Sequence, residues 1–333
     1  MMISVFRAGQ TARRAIFGLV VAVALGIIGS APAAAQADRP SARILVGFPP
    51  GAGTDTLARI YAEALSELAN IGAIVENRPG AGGQIAAQLM KSATPESNTL
   101  MMAIDHQVVM LPITMKAPGF DVRTDMVPVG RMVNIYVCLA VPGSSPIRNF
   151  EQYVEAVRKN PEAGNFGVPA PGSHPQFLGY LMGRKYDIKT NPIPYRGAAP
   201  AIADLLGSQV QGVIVPCDAL VEHHKTGRVR VLAMAADARY KLLPDVPTFG
   251  ELGMEMPGNS FLGVYAASSM KPEMLKRVID ATARMFQSPK VLDKIAAARM
   301  EPAHAGPDEL RDITEKATAF WREQVRQSNF QLQ

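Results

Sequence analysis

The chain of 333 residues carries 34 Lys+Arg against 29 Asp+Glu, 48% hydrophobic residues and two cysteines. Three of the basic residues lie within residues 1–37, so the remainder has 31 basic against 29 acidic groups, a net charge of +2. This near balance, without a run of Lys or Arg, gives no support for a nucleic-acid partner. Two cysteines exclude a disulfide framework and a C-x-x-C site, and leave open whether Cys138 and Cys217 pair.

The first 37 residues have the layout of a secretory signal peptide. Three arginines precede an uncharged apolar run at residues 15–29, and residues 30–37 supply the small residues of a cleavage site. The apolar run is shorter than the roughly 20 residues that a spanning helix needs. We therefore expect export to the periplasm with cleavage after Ala37, or alternatively Ala35, and no membrane anchor. The pair Arg13-Arg14 leaves twin-arginine export open beside the general route.

The rest of the chain repeats a short apolar run, a Gly/Pro-rich loop and a helical pattern. This order predicts an α/β fold with largely parallel strands. Strands are predicted at residues 43–48, 73–76, 99–104, 136–141, 165–168, 193–195, 210–215, 229–235 and 261–266. Helices are predicted at residues 57–68, 85–90, 149–159, 273–286, 289–298 and 307–327, with another ending at Gly207. The first helix is expected to stop at Gly72.

The length after cleavage exceeds one typical core, so two domains are expected. The first comprises residues 38–138 and 260–333, and the second comprises residues 139–259. The chain crosses between them near residues 137–141 and 261–265, which creates a hinge. Because open α/β sheets bind ligands at the carboxyl ends of their strands, we expect a binding cleft between the domains.

Two Gly-rich loops follow predicted strands, at residues 48–55 and 77–83. A helix N-terminus offers unpaired N–H groups and partial positive charge, and glycine lets the backbone approach a ligand closely. We interpret the loops as anion sites, with simple tight turns as the alternative. Asp55 and Arg59 are one helical turn apart, which predicts a cap and an ion pair rather than ligand contact.

Motifs for nucleotide binding and hydrolysis are missing from the sequence. The first loop lacks the third glycine of a dinucleotide fingerprint, and neither loop has the Gly-Lys-Ser/Thr of a phosphate-binding loop. There is no G-x-S-x-G or H-E-x-x-H motif. Ser173-His174 places a hydroxyl beside an imidazole, but neighbours in a loop rarely reach nucleophile–base geometry. We therefore predict a protein that is not an enzyme and has no cofactor.

The five histidines have no metal-site spacing. His106 follows a predicted strand end beside Asp105 and Gln107, where side chains would face the cleft and contact a ligand. His223-His224 is interpreted as part of a solvated helix face, and His304 as part of a turn.

Six motifs along the chain together resemble one family of receptors. They lie at residues 44–59 (ILVGFPPGAGTDTLAR), 75–83 (VENRPGAGG), 194–200 (PYRGAAP), 204–210 (DLLGSQV), 225–233 (KTGRVRVLA) and 243–248 (LPDVPT). Their order resembles the Bug-type receptors, which are the extracytoplasmic solute-binding proteins of tripartite tricarboxylate transporters. The resemblance implies a type II periplasmic-binding-protein fold, with two Rossmann-like βα domains joined by two hinge strands. It also implies a monomer that works with two integral membrane transporter subunits.

In such receptors a carboxylate is held by backbone amides, small polar side chains and water. The positions that match the ligand-contacting loops are Phe48, Gly51, Ala52, Gly53, Thr54, Gly172, Ser173, His174, Arg196, Gly197 and Ala198. The chain departs from the family pattern at Asp105, His106 and Gln107, where small hydroxyl residues are usual, and near Val215-Pro216, where Asp-Asn is usual. Asp218 either takes the place of that acid or caps the following helix. We add Asp105, His106, Gln107 and Asp218 to the candidate site and expect them to set ligand identity.

The sequence therefore predicts a periplasmic receptor that captures a small organic carboxylate in an interdomain cleft. The ligand class is a di- or tricarboxylate or an aromatic acid, delivered to a tripartite tricarboxylate transporter. One alternative is a sensory receptor of the same fold that feeds a signalling partner. Another is a small hydrolase that uses Ser173 and His174.

Overall fold

The computed structural model describes residues 39–328 and 330–332. The predicted signal peptide at residues 1–37 lies outside the described residues. The strands described are β1 (Ser41–Val46), β2 (Gly72–Asn77), β3 (Thr99–Ile104), β4 (Met126–Ile135), β5 (Val137–Pro142), β6 (Asn165–Val168), β7 (Asn191–Pro194), β8 (Gly212–Pro216), β9 (Val229–Ala235), β10 (Ser260–Ala267) and β11 (Glu301–Ala305). The α-helices described are α1 (Gly53–Ala69), α2 (Gln84–Lys91), α3 (Leu111–Thr114), α4 (Val122–Asp125), α5 (Phe150–Lys159), α6 (His174–Tyr186), α7 (Ala198–Leu206), α8 (Val221–Lys225), α9 (Pro272–Met285), α10 (Pro289–Ala297) and α11 (Pro307–Gln327). A π-helical turn at His106–Met110 joins β3 to α3.

The strands form two sheets, which confirms the α/β class. The first sheet has the order β11-β4-β10-β3-β1-β2, and the second has the order β7-β6-β8-β5-β9. Both are mixed, so the expectation of largely parallel strands is wrong in this respect. In the first sheet β10 runs antiparallel to β3 and β4, and in the second β5 runs antiparallel to β8 and β9. β5 and β10 are the strands by which the chain enters a sheet after crossing from the other one, so they do not belong to the repeated βα units.

The chain passes between the sheets at two described places. β4 ends at Ile135 in the first sheet and β5 begins at Val137 in the second, so Tyr136 alone joins them. The return runs from β9 in the second sheet to β10 in the first. Two crossings were expected from the sequence, and the domain bounds themselves stay a prediction.

Local signals explain where the sequence prediction of elements failed. The first helix does not stop at Gly72, because Asn70 adopts the left-handed conformation at φ 51° and donates its N–H to Leu65 O, while Gly72 begins β2. The strand β4 was not predicted, since Pro128 interrupts its apolar pattern. The edge strand β11 was also missed, and His304 lies in it rather than in a turn.

The first sheet is buried on both faces, because successive side chains enter two different clusters. Ile44 and Met102 pack with residues of α1, α9 and α10, whereas Leu45 and Met101 pack with α2 and α11. Phe177 of α6, a helix that follows a strand of the second sheet, belongs to the latter cluster. Burial of each large apolar side chain contributes roughly 1.5–3 kcal/mol. The two sheets are therefore connected by shared apolar packing as well as by the chain.

Cys138 and Cys217 form a disulfide bond, which settles the pairing that the sequence left open. Cys138 lies in β5 and Cys217 follows β8, the adjacent antiparallel strand. Both cysteines are buried. The bond therefore closes a chain segment of 79 residues across the middle of the second sheet.

Across the part of the chain that the structure describes, every helix is too short or too polar to cross a bilayer.

Candidate ligand-binding site

Three candidate segments emerge at one edge of the first sheet. β1 lies between β2 and β3 and is parallel to both. The loops that follow these strands therefore leave from the same carboxyl edge. They contain the first Gly-rich loop, the second Gly-rich loop and residues 105–107. This is the arrangement in which open α/β sheets bind ligands.

The first loop ends in the N-terminus of α1. Ala52 is extended, and the first helical hydrogen bond runs from Thr56 N to Ala52 O at 2.9 Å. The N–H groups of Gly53 and Thr54 precede this bond and have no carbonyl partner within the helix. Together with the helix dipole they suit an anion. Gly51 differs, because its N–H already donates to Asp55 Oδ2 at 2.9 Å.

Asp55 joins the two Gly-rich loops. Its buried carboxylate accepts hydrogen bonds from Gly51 N, from Arg59 Nε and Nη2 at 3.0 Å, and from Asn77 Nδ2 at 2.9 Å. Asn77 Nδ2 also donates to Phe48 O at 3.1 Å. Burial would raise the pKa of Asp55, but the hydrogen bonds from Arg59, Gly51 and Asn77 outweigh it and hold the pKa below its usual range. The predicted ion pair with Arg59 is confirmed. The predicted cap is wrong, because Ala52 is the N-cap and Asp55 lies inside the first turn. Asn77 was not anticipated in this role.

The second loop owes its glycines to close packing. A Cβ at Gly82 would lie 2.7 Å from His106 Nε2, and one at Gly83 would lie 2.6 Å from Gln107 Nε2. Both glycines also have positive φ, at 65° and 95°. Gln107 is fully buried and uses its side-chain amide on the backbone, donating to Gly83 O and accepting from Ile104 N at 3.2 Å. This loop and Gln107 therefore stabilise the sheet edge.

Asp105 and His174 come together in a buried group that includes His106, the chain neighbour of Asp105, and is here called the Asp–His cluster. His174 Nδ1 lies 3.5 Å from Asp105 Oδ2, and the exposed fraction of each of the three residues is 6% or less. Both ring nitrogens of each histidine are buried without a hydrogen-bond partner in the described structure. Burial is the main cause that lowers the pKa of His106 to about 4; Asp105 opposes this and His174 adds to it. The Trp321 ring packs on His174 with centroids 4.4 Å apart.

The remaining candidates lie at the carboxyl edge of the second sheet. β6 is parallel to both β7 and β8, so the loops after these three strands share one edge. Gly197 N donates to Pro169 O at 2.8 Å, which joins the loop that precedes α7 to the loop that precedes α6. Arg196, next to Gly197, is exposed. An exposed cation and the start of α7 at Ala198 thus flank the loop of Gly172.

Ser173 and His174 do not form a nucleophile–base pair in this structure. Ser173 Oγ donates to Ala170 O at 2.6 Å, and Gly172 N donates to Gln176 Oε1 at 2.9 Å. His174 instead faces Asp105. The geometry that a serine hydrolase needs is a hydroxyl hydrogen-bonded to the imidazole, so these residues give no support for that alternative.

Asp218 lies near residues 299–300, which also border the first Gly-rich loop. Burial raises the pKa of its carboxyl, while the nearby Arg299 lowers it. Arg299 also pairs with Glu222 of α8 at 3.5 Å, and its carbonyl accepts the hydroxyl of Tyr240 at 2.6 Å. Met300 Cε lies 3.1 Å from the position of a Cβ on Gly53. Met300 belongs to no motif, so nothing in the sequence indicated that it borders the first loop.

The two carboxyl edges therefore approach each other at two places. On one side the Asp–His cluster joins Asp105 to His174 at the start of α6. On the other side residues 299–300 lie between Gly53 and the Asp218 loop. Between these contacts the first edge presents amide donors of α1, and the second presents the loops around Ser173 and Arg196. These features define an α/β protein with two sheets and, at their junction, a helix N-terminus whose unused N–H groups suit an anion.

The chain belongs to the TctC family, whose description is tripartite tricarboxylate transporter family receptor and whose model matches residues 57–329. It is 28% identical over 320 residues to BugT of Bordetella pertussis (strain Tohama I), covering 96% of this chain and 98% of that protein.

Two solved structures show the same fold. Periplasmic binding protein BugD has a TM-score of 0.78 at 24% identity and covers 88% of this chain and 99% of its own. The R. palustris protein Rpa4515, solved with adipate, has a TM-score of 0.79 at 24% identity and covers 88% of this chain and 98% of its own. The resemblance to Bug-type receptors and the predicted fold class are thus confirmed.

Proposed function

We propose that this receptor works in the periplasm and captures a small organic carboxylate between the carboxyl edges of its two sheets. The ligand class is a di- or tricarboxylate or an aromatic acid, and the receptor delivers it as a monomer to two integral membrane subunits of a tripartite transporter. One lobe comprises residues 38–138 and 260–333, and the other comprises residues 139–259. The secretory layout of residues 1–37 and the likeness to periplasmic BugD support the location.

One observation carries the proposal, namely the N-terminus of α1. Gly53 and Thr54 present N–H groups that the helix does not use, at a sheet edge where ligands bind. The Asp55 hydrogen bonds hold the loop in this geometry before any ligand arrives, which reduces the ordering cost of binding. A carboxylate is the organic group that such amide donors suit. The adipate in Rpa4515, which has the same fold, agrees with this chemistry.

The opposing lobe supplies the rest of the proposed site. Ala52 and Phe48 flank the amides on the first lobe, and Phe48 provides an apolar wall. On the second lobe Gly172, Ser173 and the segment from Arg196 to Ala198 face the ligand, with Asp218 at the side near Met300. Arg196 adds a positive charge for a second carboxylate.

A thermal-shift panel tests the ligand class. Citrate, adipate and benzoate are compared with adipamide, which has the length of adipate without its charges. At a concentration 100-fold above Kd, a ligand stabilises the protein by about 2.7 kcal/mol, which shifts Tm by about 5 °C. We expect such a shift from at least one acid and none from adipamide. Stabilisation by sugars or metal ions alone, with no effect of any acid, would contradict the proposal.

Replacing Gly53 with valine tests where the carboxylate binds. The side chain would shield the helix amides and press on Met300 Cε, so we expect Kd of the acid found in the panel to rise at least about 30-fold. Gly306 precedes α11 with open space around its Cβ position, so Gly306→Val is the matched control and should leave Kd unchanged. Isothermal titration calorimetry measures both. An unchanged Kd in Gly53→Val would show that this loop is only a turn.

A further inference from the structure

The Asp–His cluster lies where the layers of the two sheets touch. Asp105 and His106 follow β3 of the first sheet, and His174 begins α6 after β6 of the second. Around it, a Cβ on Gly172 would lie 3.1 Å from Thr114 Oγ1 of α3, and Phe177 of α6 enters the apolar cluster of the first sheet. Separation of the lobes on this side would therefore expose the cluster.

We propose that the Asp–His cluster is an acid-released latch, which holds the two lobes together at neutral pH and opens when His106 takes up a proton. The latch regulates the site proposed above and rests on that function, since its opening would lower ligand affinity.

Two opposing contributions set the stability of the closed contact: apolar packing favours it, and the burial of polar atoms disfavours it. The four ring nitrogens of His106 and His174 are buried without hydrogen-bond partners among the described residues. Water satisfies such groups only when the contact opens, so their burial disfavours the closed state. Packing of Trp321 on His174 and of Phe177 in the apolar cluster favours it. Because these contributions oppose each other, the free-energy difference between the closed and open states is small, and the uptake of one proton can reverse its sign.

The groups that face His106 show which way a proton acts. Asp105 attracts the imidazolium, His174 of α6 repels it, and burial disfavours its charge most. Burial raises the pKa of the Tyr265 phenol of β10, and the charge of Asp105 adds to this; the Tyr265 hydroxyl contacts Thr314 Oγ1 of α11 at 2.9 Å. His106 is therefore neutral in the closed state until about pH 4, and regains an ordinary pKa near 6.5 once it is exposed.

This difference couples proton uptake to opening. Because the closed state binds the proton more weakly, it loses stability as pH falls below 6.5, and the loss is complete below about 4. Between pH 7.5 and pH 5 the ratio of open to closed protein rises by roughly 30-fold. A ligand that requires the closed state loses affinity in proportion to the closed fraction.

Trp321 is the single tryptophan of the chain and provides a reporter at the latch. It is 1% exposed and contacts His174. Fluorescence of the purified ligand-free protein is followed from pH 7.5 to pH 4.5, with far-UV circular dichroism recorded on the same samples. We expect the tryptophan emission to shift to longer wavelength between pH 6.5 and 4.5 while the circular dichroism stays constant. A constant emission until the secondary structure is lost would overturn the proposal.

Two substitutions assign the transition to His106. His106→Leu and His106→Gln both remove the titrating group, and the leucine also removes the unpartnered nitrogens, so the emission change should disappear in both. His223, half-buried in α8 away from the cluster, gives the matched control His223→Gln, which should keep it. An emission change that persists in a folded His106 variant, or disappears in His223→Gln, would overturn the latch.

Calorimetry separates failure of the latch from failure of the receptor function. For an acid that stabilises the protein at pH 7.5, Kd should rise several-fold at pH 5, with the roughly 30-fold change in the open-to-closed ratio as the upper limit, and it should rise much less in His106→Leu. An equal rise in both proteins would contradict the latch alone. If no acid binds at any pH, the receptor proposal fails, and the fluorescence titration still decides the latch.

Discussion

Replacing Asp55 with alanine should lower the free energy of unfolding by about 3 kcal/mol and weaken carboxylate binding at least about 10-fold. The carboxylate is buried and accepts hydrogen bonds from Gly51, Arg59 and Asn77. Hydrogen bonds to a charged group contribute about 1.5–3 kcal/mol each, but Arg59 is half-exposed and regains water when its partner is lost. Without this carboxylate the two Gly-rich loops lose their connection, so the amides of α1 are no longer held in place.

Urea unfolding and calorimetry measure the two effects in one variant. The difference in stability from the unmodified protein should shrink as pH falls below about 4, because the lowered pKa of Asp55 stabilises the fold only while the group is ionised. Asp121 is the matched control, since it accepts from Arg123 in the same way but lies half-exposed at the start of α4. Asp121→Ala should lower the free energy of unfolding by less than about 1 kcal/mol. Equal losses in both variants would show that the Asp55 hydrogen bonds have no special role.

The free energy of unfolding of the double variant Cys138→Ala/Cys217→Ala should be about 4 kcal/mol lower than that of the unmodified protein. The bond closes a segment of 79 residues, and the loss of chain entropy in the unfolded state scales with the logarithm of that length. Both cysteines lie in the core of the second sheet, and alanine keeps these positions apolar. The variant should therefore keep its fold at low temperature. Ligand binding should persist there, since the bond lies outside the proposed amide site.

Denaturant titration of the double variant and the unmodified protein measures this loss. The unmodified protein unfolded in the presence of a thiol reductant provides a control without any substitution, and its stability should match that of the double variant. Mass spectrometry after alkylation checks that the thiols are blocked in protein exported to an oxidising compartment. Free thiols there, or a stability within about 1 kcal/mol of the unmodified protein, would contradict the expectation.

Much of the fold could be predicted because its core helices and strands carry regular apolar patterns. α11 was predicted at its observed bounds, and β3 likewise, since both combine a clear period with a Pro or Thr at the start. β4 was missed because it pairs through register shifts around a proline and a glycine, which the partner β10 tolerates. The direction of β10 depends on its return from the second sheet, and such tertiary connections leave no local signal.

The candidate site was predicted in outline, because Gly-rich loops after parallel strands must share a sheet edge. The role of each residue in it was not predictable, since it depends on contacts between distant segments. Gly51 was expected to donate its N–H to a ligand, yet that N–H donates to the Asp55 carboxylate. Gln107 resembles a cleft residue and is buried against Gly83. The contact of Asp105 with His174 joins residues that follow strands of different sheets, so no spacing in the sequence indicates it.

The close packing of the second Gly-rich loop restricts which residues this loop can hold. A Cβ at Gly82 or Gly83 would lie within 3 Å of the side chain of His106 or Gln107, so the packing of the chain itself requires these glycines whatever ligand binds. The exposed Arg196 on the second sheet carries no such restriction. We therefore expect substitutions in the exposed loops of the second sheet to change ligand preference more readily than substitutions in the second Gly-rich loop, whose glycines are required by packing.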